Sequence, residues 1–341
     1  MSKYSLDAKR KRGKHIDTKK LNRDLAWRKS VSEKRKAMCQ HLSSKGSLEK
    51  VDRCPICGVK KYKLFTTIFD YPYHECGKCG HIYLATPPTE SAIKDLYSGE
   101  GENTTIQGDI YIGEEIFKER VKQIARPKVD FCLDHMKLPE LWIDVGCGTG
   151  EVLTALKERD VLAFGVESDD QEVKFASEHG LKVVRADLLE LGEKFFAKAE
   201  CVSFINILEH IKDPVGTLGR VLDSMPYESS VVIEVPRHPS LSSYNSMAFS
   251  SLAYRHIYAP DHLHIFTEKS LKMMFNEVGL KEVAIWEYGQ DFQDLISMSA
   301  INADLDETGF VSDIMDLFNN IQQSIDNLGF SDTMFIIGRK T

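Results

Sequence analysis

The sequence lacks the features of a membrane or secreted protein. No apolar run in its 341 residues approaches the roughly 18 residues that a membrane span needs. The basic N-terminus is not followed by an apolar stretch, which argues against a secretory signal. Four of the eight cysteines fall into two C-x-x-C pairs, a pattern that indicates metal ligands and free thiols in a reducing compartment. These absences predict a cytoplasmic protein without a membrane span.

Internal repeats and low-complexity tracts are also absent. A hydrophobic content of 42% and a charged content of 28% are ordinary for a globular protein. The net charge of -7 hides an asymmetry, because residues 1–50 hold sixteen Lys and Arg against five acids, a balance of +11, so that the other 291 residues carry -18. We interpret residues 1–50 as a basic extension, solvated or weakly helical, that can dock on its own acidic body. The alternative is an arm that contacts a polyanion.

Composition divides the rest of the chain into three parts. A cysteine-containing segment, 51–88, ends in a Thr-Pro-Pro sequence that we interpret as a linker, and a helical linker or lid follows over 89–138. Within that lid we predict helices over 91–97 and 113–136, the second interrupted at Arg126-Pro127, with a loop at 98–103 between them. Residues 139–341 form the main domain, with inserts at 237–267 and 288–332.

Apolar strands alternate with helix-like stretches from residue 141 onwards. This alternation predicts an α/β fold, a Rossmann-like doubly wound sheet with helices on both faces, joined to a small N-terminal zinc-ribbon-like module and helical additions. A helix is expected over 268–278 and a helical insert over about 310–327. The predicted strands are 141–145, 161–166, 182–185, 200–205, 230–235, 284–287 and 333–338.

The most informative stretch runs from residue 141 to 150 and reads LWIDVGCGTG. A short apolar strand leads into a turn with glycine at 146, 148 and 150, where the missing Cβ atoms let the backbone turn sharply and approach a ligand. Asp144 precedes the turn, whereas a pyrophosphate at a helix N-terminus is bound without a carboxylate nearby. The pattern therefore indicates a cationic nucleotide-type cofactor such as S-adenosylmethionine at the first strand-to-helix turn.

Two further acids stand at the ends of the next two predicted strands. Glu167 follows the glycines by about 20 residues, where a carboxylate can accept hydrogen bonds from both ribose hydroxyls. Asp187 ends the third strand, where it can accept a hydrogen bond from an adenine amino group. It can also act as a helix N-cap.

With these residues in place, the chain resembles the class I S-adenosylmethionine-dependent methyltransferases over about residues 139–287. The resemblance is carried by DVGCGTG from Asp144, by Glu167, by Ala186-Asp187 and by NILEHIKDP from Asn206. It implies that the glycine loop holds the methionine part, Glu167 the ribose and Asp187 the adenine, with the Leu-Glu-His block beside the methyl donor. The cofactor-binding residues that it implies are Asp144, Gly146, Cys147, Gly148, Gly150, Glu167, Ser168, Asp187, Leu188, Asn206 and Glu209.

Two departures narrow the chemistry. Some O-methyltransferases with a similar block carry a Glu where Asn206 stands and bind a metal there, so Asn206 argues against that metal. The N-P-P-Y type motif of enzymes that methylate adenine or glutamine amino groups is also absent, which argues mildly against methylation of nucleic-acid bases.

The two C-x-x-C pairs predict a metal site. Cys54 and Cys57 form one pair, Cys76 and Cys79 the other, each followed by glycine and separated by 18 residues. Four thiolates suit tetrahedral zinc, and a site with four protein ligands is closed, so we predict one structural zinc per chain. The alternative is two unrelated redox pairs.

The acceptor side offers several histidines as a general base. His210 follows the fourth strand, and His238, His262 and His264 lie in the long segment after the fifth strand, at the same edge of the sheet. Asp261 stands beside His262 and can orient its ring. The candidate catalytic residues are therefore His262, His210, His264 and Asp261.

A narrower resemblance suggests an acceptor. Deoxysugar C-methyltransferases join such a zinc module to the same cofactor domain and carry a Tyr-His-Glu-His block, which Tyr258 and Asp261-His262 echo loosely. We therefore predict a methyltransferase acting on a small hydroxylated acceptor, a nucleotide-linked sugar or glycan precursor, by O- or C-methylation. The alternatives are an RNA methyltransferase that grips RNA with the zinc module and basic arm, and a non-catalytic cofactor-binding scaffold.

Overall fold

A computed structural model describes residues 9–21, 24–96, 112–192, 194–305 and 310–341. The predicted loop at 98–103 lies outside this range. Among the helices that the structure describes, none combines the length and apolar character that crossing a membrane requires.

The chain alternates strands and helices, as predicted. In chain order the strands are β1 Lys9–Arg12, β2 Tyr62–Ile68, β3 Tyr71–Cys76, β4 Ile82–Leu84, β5 Trp142–Val145, β6 Ala163–Glu167, β7 Val183–Arg185, β8 Cys201–Ile205, β9 Ser230–Pro236, β10 His264–Ile265, β11 Leu280–Tyr288 and β12 Thr333–Lys340. The α-helices are α1 Leu25–Ser44, α2 Glu90–Leu96, α3 Glu114–Arg120, α4 Arg126–Leu133, α5 Glu151–Lys157, α6 Asp170–Glu178, α7 Pro214–Ser224, α8 Leu241–Ala248, α9 Glu268–Glu277, α10 Asp291–Asn302, α11 Phe310–Met315 and α12 Phe318–Asn327.

A central sheet organises the main domain. Its order is β1-β11-β12-β9-β8-β5-β6-β7, and the strands from β9 to β7 in this order are all parallel. Only β12 runs against its neighbours. All seven predicted strands are present, so the predicted Rossmann-like class is confirmed. The carboxyl ends of the parallel strands meet at one edge, which is where such sheets bind ligands.

The core lies on both faces of this sheet. Successive residues of β5 point to opposite faces, so Trp142 enters one apolar cluster and Ile143 the other. The same alternation places Val232 with Trp142 and Ile233 with Ile143. Strands covered on both faces need continuous apolar sequences, and β9 is accordingly buried along its whole length.

The lid helix is continuous where an interruption was predicted. A five-residue π-helical segment, Val121–Ala125, joins α3 to α4, and Pro127 stands in the first turn of α4. Proline has no backbone N–H, and a wider turn before it keeps the ring clear of the preceding carbonyls. The chain therefore absorbs Pro127 without ending the helix.

The cysteine-containing segment shares a sheet with the main domain. Strands β2, β3 and β4 form an antiparallel meander, and β10, from the long segment after β9, adds to its edge beside β4. That long segment also contains α8, which begins with a capping box between Ser240 and Ser243. The predicted insert at 237–267 is thus partly regular structure that holds the cysteine-containing segment against the main domain.

The basic arm packs on the domain and is not a solvated extension over its described residues. Strand β1 pairs in parallel with β11 at the sheet edge, and Arg10 and Arg12 both bond the buried carboxylate of Glu287 at 2.6 and 3.0 Å. Helix α1 buries a face that contains both apolar side chains and Arg28. The excess of positive charge in residues 1–50 is therefore used, in part, to dock the arm on acids of the main domain.

Candidate active site

The glycine turn after β5 requires glycine at each predicted position. Gly146, Gly148 and Gly150 have φ angles of 66°, 55° and 90°, in the left-handed region that other residues avoid. A Cβ added to Gly146 would stand 2.0 Å from Ile207 Cδ1, and one on Gly150 would stand 2.4 Å from Leu181 Cδ1. The Gly146 amide also donates to the Val166 carbonyl at 2.8 Å, which holds the turn against β6.

Asp144 lies beneath this turn in a buried hydrogen-bonded chain. Trp142 Nε1 donates to Ser203 Oγ at 2.8 Å, and that hydroxyl donates in turn to Asp144 Oδ1 at 2.5 Å. Burial raises the pKa of Asp144 to about 7, even though the Ser203 hydrogen bond opposes this shift. The carboxyl group therefore gains its charge near neutral pH, and a cation beside it would favour the charged form.

Glu167 ties the end of β6 to the glycine turn. Its Oε2 accepts from the Gly148 amide at 3.0 Å, and its Oε1 accepts from the amides of Ser168 at 2.6 Å and Asp169 at 3.0 Å. Asp187, at the end of β7, caps the short 3-10 segment Leu188–Glu190 through the Leu189 amide at 2.8 Å. The predicted N-cap role of Asp187 is therefore present, and its carboxylate still lines the cleft described below.

Asn206 ends β8 with a φ of 56° and bonds Glu234 on the next strand at 3.2 Å. Glu234 also accepts from Tyr288 Oη at 2.8 Å and pairs with Lys128 at 2.7 Å. Burial opposes the charge on Glu234, but Lys128 and Lys14 outweigh it and lower the pKa of this carboxyl group. A charged network therefore lies at the tip of β9, beside the predicted methyl donor site.

These elements surround one large cleft of about 1620 Å³ at the carboxyl edge of the sheet. Typical small-molecule pockets measure about 300–1,000 Å³, so the cleft has room for a cofactor and an acceptor together. Of the predicted site residues, all of which the structure describes, Gly150, His264 and Asp261 do not line the cleft. The predicted residues that line it are Asp144, Gly146, Cys147, Gly148, Glu167, Ser168, Asp187, Leu188, Asn206, Glu209, His210 and His262.

Two of the predicted histidines meet in the cleft. The rings of His210 and His262 stand edge to face with centroids 4.7 Å apart. His262 Nδ1 bonds the His256 carbonyl at 2.5 Å, and His210 Nδ1 bonds the Asp261 carbonyl at 3.0 Å. Since a carbonyl only accepts, each Nδ1 carries the proton and each Nε2 is the basic nitrogen. Burial lowers the pKa of His210 to about 4 and that of His262 well below its usual value, so both rings are neutral.

Glu209 completes this group. Its side chain is fully buried, and neither carboxyl oxygen has a hydrogen-bond partner in another residue within the described ranges. Burial raises the pKa of Glu209 well above its usual value, which favours the neutral carboxyl group. One ligand atom each from Glu209, His210 and His262 lie within 4.8 Å of one another, close enough for the three side chains to hold a divalent ion.

His264 lies away from the cleft, between the main domain and the cysteine-containing segment. Its Nε2 donates to the Ile211 carbonyl at 2.8 Å, and its Nδ1 stands 3.1 Å from His81 Nε2. Both rings are buried, with exposed fractions of 2% and 0%. This position gives His264 no path to an acceptor in the cleft, but it ties β4 to the segment that follows Glu209.

The four predicted metal ligands converge. Cys54 Sγ and Cys79 Sγ are 3.6 Å apart, and Cys57 Sγ and Cys76 Sγ are 3.5 Å apart. All four sulfurs lie within 4.8 Å of one another, and none forms a disulfide. Thr267 Oγ1 donates to the Cys79 carbonyl at 2.8 Å, so the cluster is joined directly to the N-cap of α9.

Two cations of the basic arm line the cleft and were not predicted as site residues. Lys14, just after β1, and Arg35, in the middle of α1, both line the cleft and are 9% and 5% exposed. Burial of Arg35 could have been predicted from the sequence, because its helical spacing from Arg28 places it on the face of α1 that buries Val31 and Met38. Cations on the apolar face of a helix indicate buried partners or ligands.

Comparison with known proteins assigns the class. The model of a family described as a methyltransferase domain matches residues 117–285, about half of the chain. Together with the doubly wound sheet and the glycine turn, this match identifies a class I S-adenosylmethionine-dependent methyltransferase domain. The basic arm and the four cysteines lie outside the matched residues.

Individual relatives are more distant. A ubiquinone biosynthesis O-methyltransferase of Saccharophagus degradans is 32% identical over 83 residues, which are 23% of this chain and 35% of that protein. The chain thus matches about a third of the length of this curated relative. A solved S-adenosylmethionine-dependent methyltransferase from Archaeoglobus fulgidus is 22% identical, with 66% of this chain and 98% of that chain covered and a TM-score of 0.41. Magnesium protoporphyrin IX methyltransferase from Synechocystis PCC 6803, with bound SAH, is 12% identical, with 74% and 100% covered and a TM-score of 0.48.

Proposed function

We propose that the protein transfers a methyl group from S-adenosylmethionine to a small hydroxylated acceptor, with His262 as the general base. The observation that carries this proposal is the neutral His262 ring, whose Nδ1 is fixed on the His256 carbonyl, in the same cleft as the glycine turn. S-adenosylmethionine supplies an electrophilic methyl group. The residues of the chain position the acceptor, exclude water and accept its proton.

The cofactor residues have complementary tasks in this proposal. The turn from Gly146 to Gly150 brings backbone close to the methionine part, and Asp144 lies beneath it as the nearby negative charge. Glu167 already gathers three backbone amides, so its carboxylate is held rigidly where the ribose is expected. Asp187 and Leu188 bound the part of the cleft where the adenine is expected.

On the acceptor side, the tautomer of His262 decides the chemistry. With the proton of the ring on Nδ1, Nε2 would be free to take the hydroxyl proton of the acceptor, while the oxygen–methyl bond forms and the methyl–sulfur bond of the cofactor breaks, leaving its electron pair on sulfur. The Tyr258 ring lies 3.9 Å from the His262 ring and restricts its rotation. The His210 ring also packs against His262, with the ring centroids 4.7 Å apart. In its neutral form, which burial favours, Glu209 would donate a hydrogen bond to the acceptor.

We further propose that the four cysteines hold one structural zinc ion per chain. Four thiolates at about 2.3 Å around a tetrahedral zinc stand about 3.8 Å apart. The sulfur pairs Cys57–Cys76 and Cys54–Cys79, at 3.5 and 3.6 Å, fit this geometry. A closed four-sulfur site leaves no position for substrate. The ion would fix β4, and through it β10 and the segment that contains His262.

For the acceptor we propose a nucleotide-linked sugar or glycan precursor, methylated on oxygen or carbon. The narrower resemblance to deoxysugar methyltransferases supports this choice, as do the hydroxyl and imidazole groups of the segment after β9. RNA methylation and a non-catalytic scaffold are the competing functions.

The test is methyl transfer from labelled S-adenosylmethionine to a panel of nucleotide sugars, with RNA as a second panel. We expect His262→Ala to lower kcat by about 100-fold or more, with an unchanged cofactor Kd. The matched control is His238→Asn, because His238 bonds Ser243 at 2.9 Å outside the cleft. Normal turnover of His262→Ala would overturn the base assignment, transfer to RNA alone would favour the RNA enzyme, and cofactor binding without any transfer would favour the scaffold.

A further inference from the structure

Most cations of the cleft are neutralised by acids. Among the buried or half-buried ones, Lys128 pairs with Glu234, Arg120 with Glu151, Lys212 with Glu49, and Arg255 with Asp294 and Asp332. Arg35 and Lys14 differ, since neither forms an ion pair within 4 Å with any acid that the structure describes. Both come from the basic arm, so the excess of positive charge in that arm reaches the inside of the cleft.

Arg35 uses few of its hydrogen-bond donors. Its Nη1 donates to the Tyr254 carbonyl at 2.5 Å, and its Nε has no hydrogen-bond partner among the described residues. The guanidinium group lies over the Tyr258 ring, with Cζ 3.4 Å from the ring centroid, a cation–π contact that helps to hold it in place. With an exposed fraction of 5%, Arg35 has little access to bulk water, and a buried donor without an acceptor is costly. A ligand in the cleft can supply the missing acceptors.

The position of Arg35 connects it to the proposed chemistry. Its guanidinium stacks on Tyr258, Tyr258 lies 3.9 Å from His262, and His262 meets His210 at 4.7 Å. An anion bound at Arg35 would therefore lie within two ring contacts of the proposed base. Asp261 and Arg35 have opposite effects on the pKa of Cys39, which Asp261 raises and Arg35 lowers.

We propose that Arg35 binds an oxyanion of the acceptor, a phosphate or carboxylate group, beside His262. A planar guanidinium group matches both groups, because it can donate two parallel hydrogen bonds. The inference rests on the proposed function, and it narrows the acceptor to an anionic molecule. The diphosphate of a nucleotide-linked sugar belongs to this class.

The experiment measures anion binding without turnover. Inorganic pyrophosphate and malonate are titrated calorimetrically into the full chain saturated with the demethylated cofactor product, so that phosphate and carboxylate are tested separately. We expect wild type to bind at least one of them, and Arg35→Met to weaken that binding by about 10- to 100-fold. Arg35→Lys keeps the charge without the planar pair of donors and should fall between the two. The matched control Lys36→Met removes an exposed charge from the same helix and should bind as wild type does.

Three results would overturn the inference. They are equal binding in Arg35→Met and wild type, no binding of either anion by wild type, and an equal loss of affinity for the demethylated product in Arg35→Met, which would place Arg35 on the cofactor. If Arg35→Met does not fold, as judged by circular dichroism, Arg35→Lys decides. Anion binding that depends on Arg35, in a protein that transfers no methyl group, would support the inference and refute the proposed function. Methyl transfer by a protein whose anion binding does not depend on Arg35 would support the proposed function and refute the inference.

Discussion

Replacing the glycines of the cofactor turn one at a time should separate steric requirement from backbone strain. Gly146 and Gly148 both have left-handed φ angles, 66° and 55°, so alanine at either position costs about 1–2 kcal/mol of backbone strain. The entropy that alanine removes from the unfolded chain is the same at both and cancels in the comparison. The two sites differ in what the new methyl group meets.

At Gly146 the added Cβ would stand 2.0 Å from Ile207 Cδ1 and 2.7 Å from its Cγ1, whereas at Gly148 the first atom it meets is Glu172 Oε2 at 3.7 Å. Of these distances, only the 3.7 Å at Gly148 is an ordinary van der Waals contact. Ile207 must therefore move in Gly146→Ala, and such overpacking costs about 1–3 kcal/mol more. We expect Gly146→Ala to lose about 2–5 kcal/mol of unfolding free energy and Gly148→Ala about 1–2 kcal/mol.

Urea denaturation without cofactor measures this difference, and calorimetry with S-adenosylmethionine measures the effect on binding. Because Ile207 lies between Asn206 and Glu209 at the cleft, Gly146→Ala should also weaken cofactor binding. Equal stability of the two variants, or a less stable Gly148→Ala, would refute the assignment of Gly146 as the sterically critical position.

Two further predictions concern pH and metal. Burial raises the pKa of Asp144 to about 7 and that of Glu172, beside Gly148, to about 8. A cationic ligand binds better when these carboxyl groups are ionised, so that its binding releases protons. The affinity for S-adenosylmethionine should therefore rise between about pH 6 and about pH 8.5. The demethylated product lacks the sulfonium charge, so its affinity should rise less over the same pH range. A ratio of the affinities for S-adenosylmethionine and for its demethylated product that stays constant with pH would contradict this account. Cys54→Ser should lower the zinc content from about one per chain and lower the melting temperature. Cys39 is a buried thiol outside the cluster, so the control variant Cys39→Ala should keep its zinc. A full zinc content of Cys54→Ser, measured by elemental analysis, would refute the site.

The sequence predicted the parts of the fold whose signals are local. Strands buried on both faces are continuous apolar runs, and the left-handed turn at Gly146 needs glycine wherever it occurs, so both could be located from a few neighbouring residues. The four cysteines were predictable for a similar reason, because each C-x-x-C pair is a local turn.

What the sequence did not predict depends on distant partners. Strand β1 reads KRKR and has no apolar pattern; Glu287 and the Trp286 ring, 3.8 Å from Lys11 Nζ, hold it at the sheet edge. The position of His264 outside the cleft also depends on a partner 183 residues away, His81. The residue pattern of one segment does not identify partners that are far away in the sequence. The positions of the basic arm and of the acceptor-side residues are therefore known only from the structure.

On the acceptor side of the cleft, residues 258–263 are held by contacts with three other parts of the chain. Tyr73, in the cysteine-containing segment, donates to the His262 carbonyl at 2.9 Å, and the Leu263 amide donates to the Glu209 carbonyl at 2.7 Å. Arg35, from the basic arm, covers Tyr258 in the same segment. Two of these three contributors lie outside residues 117–285, which match the methyltransferase family. The glycine turn and the proposed base His262 thus lie inside the matched residues, whereas Tyr73 and Arg35, which contact the segment that contains the base, lie outside them.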